Sequence, residues 1–179
     1  MPATSTEPPR EIVLVRSFVN TVDVHDGSDE LDSPAALGRW LAEAGLMARG
    51  TPASARDLRL ARRLRDALRA ELSRHDRDAA DPAVAAALED VCQELPLRAV
   101  CTPEGVAALA GGVRGALAGL VAAATTARVR GSWARLKICP DDECHWAFYD
   151  PSRNHSKRWC SMEVCGNRSK VRAFRDRAR

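Results

Sequence analysis

Long apolar runs are missing from this chain of 179 residues. A helix that crosses a bilayer needs about 20 predominantly apolar residues in succession, and no run approaching that length occurs, so an integral membrane protein is not expected. The first residues, MPATSTEPPREIV, place Pro and polar residues where a secretion signal needs an apolar segment. We therefore expect a cytoplasmic protein whose thiols stay reduced.

Aromatic residues are scarce as well, at 4% of the chain, and they are unevenly placed. Five of the eight aromatics and four of the six cysteines lie in the last 41 residues. Residues 151–179 contain nine Lys or Arg and two acids, a net +7 within a total of +3, which leaves −4 on residues 1–150. A basic segment on an acidic body indicates a module that binds a polyanion, and a solvated charge run is the alternative.

Start signals for helices recur in the N-terminal part of the chain. Ser33-Pro34, Thr51-Pro52 and Asp81-Pro82 each combine a capping side chain with a proline suited to the first helical turn. The segment after Thr51 repeats leucines at helical spacing, so its many arginines are expected on a solvated face. The buried stripes predicted for the second and third helices are Leu58, Ala61, Leu64, Leu68 and Leu72, and then Val84, Leu88, Val91 and Leu95.

Other N-terminal segments are less decisive. The apolar stretch IVLVRSFVNTVDV fits either a strand or a short buried helix. LPLRAVCTPEG indicates a short strand and turn, and the Ala-rich stretch over about 104–128 indicates a helix that Gly111 and Gly112 bend or split. The predicted fold is mainly α, with a short strand or hairpin element in the helical domain. The predicted units are a disordered leader at 1–10, the helical domain at 11–132 and a small C-terminal unit at 133–179.

The helical domain shows no clear catalytic pattern. Cys92 and Cys101 lie among apolar residues, so both are expected in the core. No nucleophile and base are visibly paired, and an enzyme is therefore not expected. A polar group follows the first apolar stretch and predicts a turn, and an acid–base or metal site is the less favoured alternative. This group consists of Asn20, Asp23, His25 and Asp26.

The last four cysteines fall into two pairs, Cys139 with Cys144 and Cys160 with Cys165. Four residues lie within each pair and 15 lie between the pairs. Two short pairs joined by such a loop suit tetrahedral coordination of one ion by four thiolates. Structural zinc is the favoured ion, because a small segment needs the folding free energy that zinc supplies; an iron–sulfur cluster and two disulfides are the alternatives. The two nearby histidines are expected outside the ligand set: His145 and His155.

A basic helix is predicted after the second pair, from about Asn167 to Ala178. Val171, Phe174 and Ala178 share one face of this helix and are expected to pack on the metal site. Gly166 is expected to turn the chain into the helix, and Asn167 to cap it. A stripe of arginines recurs at spacings of four, three and four: Arg168, Arg172, Arg175 and Arg179.

The same segment resembles a known family. The string CHWAFYDPSRNHSKRWCSMEVCGNRSKVR contains the elements WxFxD, SRN, RWCSM and CGNR of the CGNR zinc finger. Upstream, SFVNTVD resembles the opening of the helical ABATE domain, which accompanies this finger in bacterial proteins described as stress-induced transcription regulators. The resemblance implies an effector-sensing or dimerising N-terminal domain. It also implies one structural zinc held by Cys139, Cys144, Cys160 and Cys165.

The expected function is therefore a transcriptional regulator that binds double-stranded DNA through a C-terminal zinc finger ending in a basic helix. Lys157 departs from the family, in which arginine is common there; it keeps the charge but loses bidentate phosphate contact. The alternatives are a zinc module that binds RNA or protein, and a redox sensor that releases zinc on thiol oxidation. The predicted nucleic-acid contacts are Arg153, Lys157, Arg158, Arg168, Lys170, Arg172 and Arg175.

Overall fold

The computed structural model of the chain describes residues 7–74, 81–97 and 111–177, and the backbone of 101–102 and 105–106. The mainly α fold is confirmed. The helices are α1 (Arg10–Val19), α2 (Pro34–Glu43), α3 (Ala55–Leu72), α4 (Pro82–Gln93), α5 (Gly112–Val129) and α6 (Asn167–Arg177). Within the described residues, three two-stranded antiparallel hairpins connect helices: β1 (Val22–Asp23) with β2 (Ser28–Asp29), β3 (Cys101–Thr102) with β4 (Gly105–Val106), and β5 (Leu136–Ile138) with β6 (Ala147–Tyr149).

Two of the three predicted helix starts are confirmed and one is wrong. Ser33 caps α2 and Asp81 caps α4, each by accepting a hydrogen bond from a backbone N–H of the first turn. Helix α3 does not begin at Thr51-Pro52, because Ser54 and Asp57 form a capping box further along the chain. The box satisfies two backbone donors reciprocally, and this fixes the helix start. The ambiguous apolar stretch near the N-terminus is mostly α1.

The helix predicted over about 104–128 is confirmed from Gly112 onward, and residues 103–104 and 107–110 of that stretch lie outside the described residues. Helix α5 starts at Gly112 with Gly111 as its cap, and Gly112 has a φ of +73°, a conformation that favours glycine. These two glycines therefore mark the start of the helix and do not bend it. Residues 105–106, predicted as helix, lie in β4. The core role predicted for Cys101 and the face predicted for Ala178 lie outside the described side chains.

The arginines of α3 do not all lie on a solvated face, contrary to the prediction. Arg65 is only 4% exposed and donates to the two carboxylate oxygens of Asp29 at 2.6 and 2.8 Å. Arg62 donates to the carbonyl oxygen of Leu31 at 2.7 Å. The hydrogen bonds from Arg65 outweigh burial and hold the pKa of Asp29 below its ordinary value. Together these contacts fasten the β1–β2 hairpin to α3.

One hydrophobic core joins the helices to the last hairpin. It contains Phe18 of α1, Leu64 of α3 and Leu117 of α5, together with Leu136 of β5 and Ala147 of β6. The core thus continues past residue 132, where the sequence places the domain boundary. That boundary stays a prediction, and the hairpin that follows it is packed as part of the helical body.

The two predicted leucine stripes differ in burial. The stripe of α3 is buried along its whole length. In the α4 region Val91 and Leu95 are buried, whereas Val84 and Leu88 are half-buried. Helix α4 therefore packs mainly through its C-terminal end. Among the described ranges of the chain, no helix is long and apolar enough to span a bilayer.

Candidate zinc centre and its basic surface

The last four cysteines meet in the folded chain. Their Sγ atoms all lie within 4.8 Å of one another. The Cys144–Cys160 and Cys160–Cys165 sulfur separations are both 3.6 Å. Cys139 and Cys165 are buried, Cys144 and Cys160 are half-buried, and all four are free thiols. The two pairs predicted from the spacing therefore form a single cluster.

The donor set fits a tetrahedral zinc ion. With Zn–S bonds of about 2.3 Å, a tetrahedron places its sulfurs about 3.8 Å apart, which is close to the two separations of 3.6 Å. Burial and the Cys144 thiol raise the pKa of Cys160 to about 12, and burial and the neighbouring thiols raise the pKa of Cys165. A bound cation offsets this penalty, because metal binding displaces the thiol protons. Within the described residues, no histidine joins the cluster.

The first pair is shaped by a tight turn over residues 139–145. The carbonyl of Asp141 accepts hydrogen bonds from the N–H groups of Cys144 and His145. Cys139 donates its N–H to the carbonyl of Trp146 at 2.9 Å, which extends the β5–β6 ladder toward the metal site. His145 has a φ of +49°, in the left-handed region. This residue reverses the chain direction between the turn and β6.

The second pair ends inside a helix. Ser161 caps, through its hydroxyl, a π-helical turn (Met162–Gly166) that runs directly into α6. Gly166 lies within this turn, so the prediction that it redirects the chain is wrong. Asn167 is not a cap either, because its side chain donates back to a carbonyl of the preceding turn at 2.9 Å. Cys165 is thus a helical residue, and α6 starts from the metal cluster itself.

Two arginines of the predicted stripe are held by acids of the first turn. Arg172 donates to Asp141 at 3.0 Å, and Arg168 donates to Glu143 at 2.9 Å. The Asp141 side chain is only 2% exposed. Burial raises the pKa of Asp141, but the N–H of Glu143 and the two arginines bring it below its ordinary value. These ion pairs clamp α6 to the turn at 139–145.

The other predicted nucleic-acid contacts form no ion pair with an acid of the described residues. Lys157 and Arg158 each lie over an aromatic ring, 5.2 Å from the centre of Phe148 and 5.1 Å from that of Trp159. In the part of the chain that the structure describes, the predicted contacts that are exposed and have no acidic partner are Arg153, Lys157, Arg158, Lys170 and Arg175.

A buried ion pair organises the basic loop at 150–158. Asp150 is fully buried, 3.2 Å from the Nζ of Lys137, and it accepts hydrogen bonds from the N–H groups of Ser152 and Lys157. Lys137 also donates to the carbonyl of His155 at 2.6 Å. Burial raises the pKa of Asp150, but the hydrogen bonds from Ser152, Lys137 and Lys157 bring it below its ordinary value.

The apolar face predicted for the basic helix does not pack on the metal site. Val171 is 49% exposed and Phe174 is 69% exposed. The helix is instead held through its arginines, which leaves these two side chains in solvent. Phe148, 5% exposed, packs against Cys139 and Cys165. Phe148 of β6 thus covers the cluster, whereas Trp146, just before this strand, is 37% exposed.

One residue of the predicted polar turn has a partner far along the chain. Asp23 accepts hydrogen bonds from the N–H groups of His25 and Asp26, as the turn prediction requires. Asn20 instead pairs with both backbone groups of Ala147, donating to its carbonyl at 2.9 Å and accepting from its N–H at 2.8 Å. The two residues are 127 positions apart in the sequence.

Arg69 makes a second connection between the helices and the cysteine cluster. It donates to the carbonyl of Val19 at 2.7 Å and to that of His145 at 2.9 Å. Burial, together with the neighbouring positive charge of Arg65, lowers the pKa of Arg69. Sequence reasoning placed Asn20 in a polar turn without its partner and did not single out Arg69, because no spacing rule relates either residue to residues near 145.

Two family models match the chain. One, described as "CGNR zinc finger", matches residues 135–178, which include the cysteine cluster and α6. The other, ABATE, described as "Putative stress-induced transcription regulator", matches residues 13–132, and neither description is that of an enzyme. A search of curated proteins found no match. Since the ABATE match covers more than half of the chain, the chain belongs to the ABATE family and carries a CGNR zinc finger at its C-terminal end.

Proposed function

We propose that this chain is a transcription regulator that binds double-stranded DNA through the basic surface of its finger. The observation that carries the proposal is a set of five exposed cations that have no acidic partner among the described residues, placed on the loop at 150–158 and on α6. Both segments are fixed by buried contacts next to the cysteine cluster. The proposed ligands of one structural zinc ion are Cys139, Cys144, Cys160 and Cys165.

Rigid placement is what distinguishes this surface from a solvated charge run. The loop is held by the buried Asp150–Lys137 pair, and α6 continues from the π-helical turn that contains Cys165. Cations held in this way lose little conformational entropy when they meet phosphates, so they bind a polyanion more tightly than a flexible tail does. Guanidinium and ammonium groups on phosphates supply affinity, and base contacts supply specificity.

The arginine stripe of α6 divides into two roles under this proposal. Arg168 and Arg172 are already paired with acids of the first turn, and their contribution is to aim the helix. Arg175, one helical turn after Arg172, extends the stripe and is free to reach phosphate. Lys170, on another flank of the helix, is free as well.

The zinc-loaded full chain should first be shown to hold one equivalent of zinc. It should then be incubated with a pool of random duplexes, and the bound fraction sequenced after repeated selection. Enrichment of a motif, together with loss of affinity in Lys170→Ala and Arg175→Ala, is the expected result. Arg59→Ala, an exposed arginine of α3 without an acidic partner in the described ranges, is the matched control. Preference for structured RNA over every duplex would overturn the DNA proposal.

We also propose that the helical domain takes an acidic small-molecule effector. A cleft of about 760 Å³ lies beside α2, and its volume suits a small ligand. Two arginines and one acid line it, Arg39, Arg49 and Glu43, together with Gly38 and Thr51. Neither arginine has an acidic partner in the described ranges, which favours a carboxylate or phosphate. Small acids should raise the melting temperature of the chain but not of Arg39→Ala or Arg49→Ala. An equal rise in these variants would contradict the proposal.

Assembly of the regulator as a homodimer is a further proposal, because a single small finger contacts only a short site. Sedimentation of the zinc-loaded chain, alone and with the selected duplex, tests it.

A further inference from the structure

The backbone just after Cys144 is held by residues that lie outside the finger. Arg69 of α3 donates to the carbonyl of His145 at 2.9 Å and, with its other terminal nitrogen, to the carbonyl of Val19 at 2.7 Å. Asn20 pairs with both backbone groups of Ala147 at 2.8 and 2.9 Å. The two side chains thus fix residues 145 and 147 from the helical body.

The held residue is conformationally costly. His145 has a φ of +49°, which L-residues other than Gly adopt rarely and which persists where the surroundings hold it in place. This conformation lets the chain pass from the metal turn into β6, and the Cys144 thiol immediately precedes it. The direction of Cys144 therefore depends on the hydrogen bond from Arg69 to the His145 carbonyl.

Charge gives Arg69 a second role. Four thiolates around one Zn²⁺ carry two more negative charges than the ion neutralises, so a nearby cation stabilises the loaded site. Arg69 is half-buried, and its guanidinium stays protonated in proteins. Its hydrogen bond to the carbonyl of His145 places this positive charge against the residue that directly follows the proposed ligand Cys144.

We propose that Arg69 and Asn20 are positioning residues of the metal site, so that the helical domain forms one wall of the site and sets part of its zinc affinity. The inference rests on the proposed four-cysteine zinc site but not on DNA binding. It makes the finger dependent on the helices for its metal, although the sequence presents the two as separate units.

Zinc affinity of the full chain, measured by competition with a colorimetric chelator, tests the inference. Removing contacts around metal ligands typically weakens binding about 10- to 100-fold, and we expect this range for Arg69→Met and Asn20→Asp. Arg69→Lys keeps the charge but cannot bridge two carbonyls in the same way, so it should recover only part of the loss. Arg59→Met, an exposed position on the same helix, should leave the affinity unchanged.

A second control distinguishes an effect of Arg69 and Asn20 on zinc affinity from an effect on the stability of the fold alone. Leu37→Ala opens a cavity in α2, at a fully buried position, so it should lower the melting temperature while the folded chain keeps its zinc affinity. If Arg69→Met and Asn20→Asp remain folded and bind zinc within about twofold of the unchanged chain, the inference is overturned. If the unchanged chain binds no zinc at all, it is the zinc-site proposal that fails.

Hydrogen exchange on the unchanged chain gives a test that does not depend on any variant folding. Removing zinc with a chelator should speed hydrogen exchange at the N–H of Ala147, which donates a hydrogen bond to Asn20. Exchange should also become faster at the backbone N–H groups of the C-terminal end of α1. The N–H groups of α2 should be affected less. Equal protection at Ala147 with and without zinc would overturn the inference.

Discussion

The salt dependence of DNA binding gives the sharpest test of how charge is used in the finger. A protein that neutralises Z phosphates shows a slope of log K against log salt of about −0.9 Z. The five predicted contacts without acidic partners therefore set a slope of about −4.5. Affinity should then fall roughly 500-fold between 50 and 200 mM salt.

Single substitutions should divide the cations into two groups. Lys170→Ala removes a free charge and should reduce the slope by about 0.9. Arg172→Ala should change the slope much less, because Arg172 already lies 3.0 Å from Asp141 and within 3.6 Å of two other acids. It should instead lower the unfolding midpoint, since Asp141 is left buried with only Arg168 nearby.

Fluorescence anisotropy with a labelled duplex, titrated at several salt concentrations with zinc-loaded protein, measures both slopes. Arg59→Ala serves as the control for a surface arginine outside the finger. If Arg172→Ala reduces the slope as much as Lys170→Ala and leaves the unfolding midpoint unchanged, the ion pair opens on DNA and the division of roles is refuted.

Three further results are expected. Hydrogen bonds from Arg65 lower the pKa of Asp29. The stabilisation of the fold by ionised Asp29 is therefore complete above the ordinary pKa of about 3.9, and it is lost as the pH falls through the lower pKa that Asp29 has in the folded chain. Asp29→Asn should thus lower the free energy of unfolding in urea by about 3 kcal/mol at pH 7 and by clearly less at pH 3. Equal losses at the two pH values would contradict this account. Asp150→Asn should speed proteolysis within the loop at 150–158 and weaken duplex binding without loss of zinc, whereas a protected loop would contradict the ion-pair account. Gly166→Ala should keep its zinc and change stability by less than about 1 kcal/mol, because the new Cβ meets the exposed, flexible side chain of Met162; zinc loss would show the glycine to be essential.

Local rules explain what the sequence could predict. The starts of α2 and α4 follow from a capping side chain and a proline within neighbouring positions, and the cysteine pairs follow from ligand spacing. These signals involve residues that contact one another within a few positions, so a single sequence contains them. The start of α3 was misplaced for the same reason: two local signals compete, and the Ser54–Asp57 box wins because it satisfies two donors.

Long-range pairing explains what the sequence could not predict. Arg65 meets Asp29 across 36 positions, and Arg172 meets Asp141 across 31. The pattern of an amphipathic helix predicts that an arginine on its polar face is exposed to solvent, unless the acidic partner of that arginine is known. The exposure of Phe174 belongs to the same class of error: once the arginines hold α6 against the turn at 139–145, the apolar face of the helix points elsewhere.

The Arg69 bridge makes the orientation of α1 and the metal site mutually dependent. A ligand that displaces α1 relative to α3 breaks one of the two hydrogen bonds of Arg69, and a hydrogen bond to a charged group contributes about 1.5–3 kcal/mol. At 1.4 kcal/mol per factor of ten, one such bond limits the resulting change in zinc affinity to roughly 10- to 100-fold. Linkage is reciprocal, so removing zinc must change the affinity for that ligand by the same factor. An acidic effector that raises the melting temperature equally in zinc-loaded and zinc-free protein would therefore bind without reaching the finger, and the helical domain would then regulate by another route.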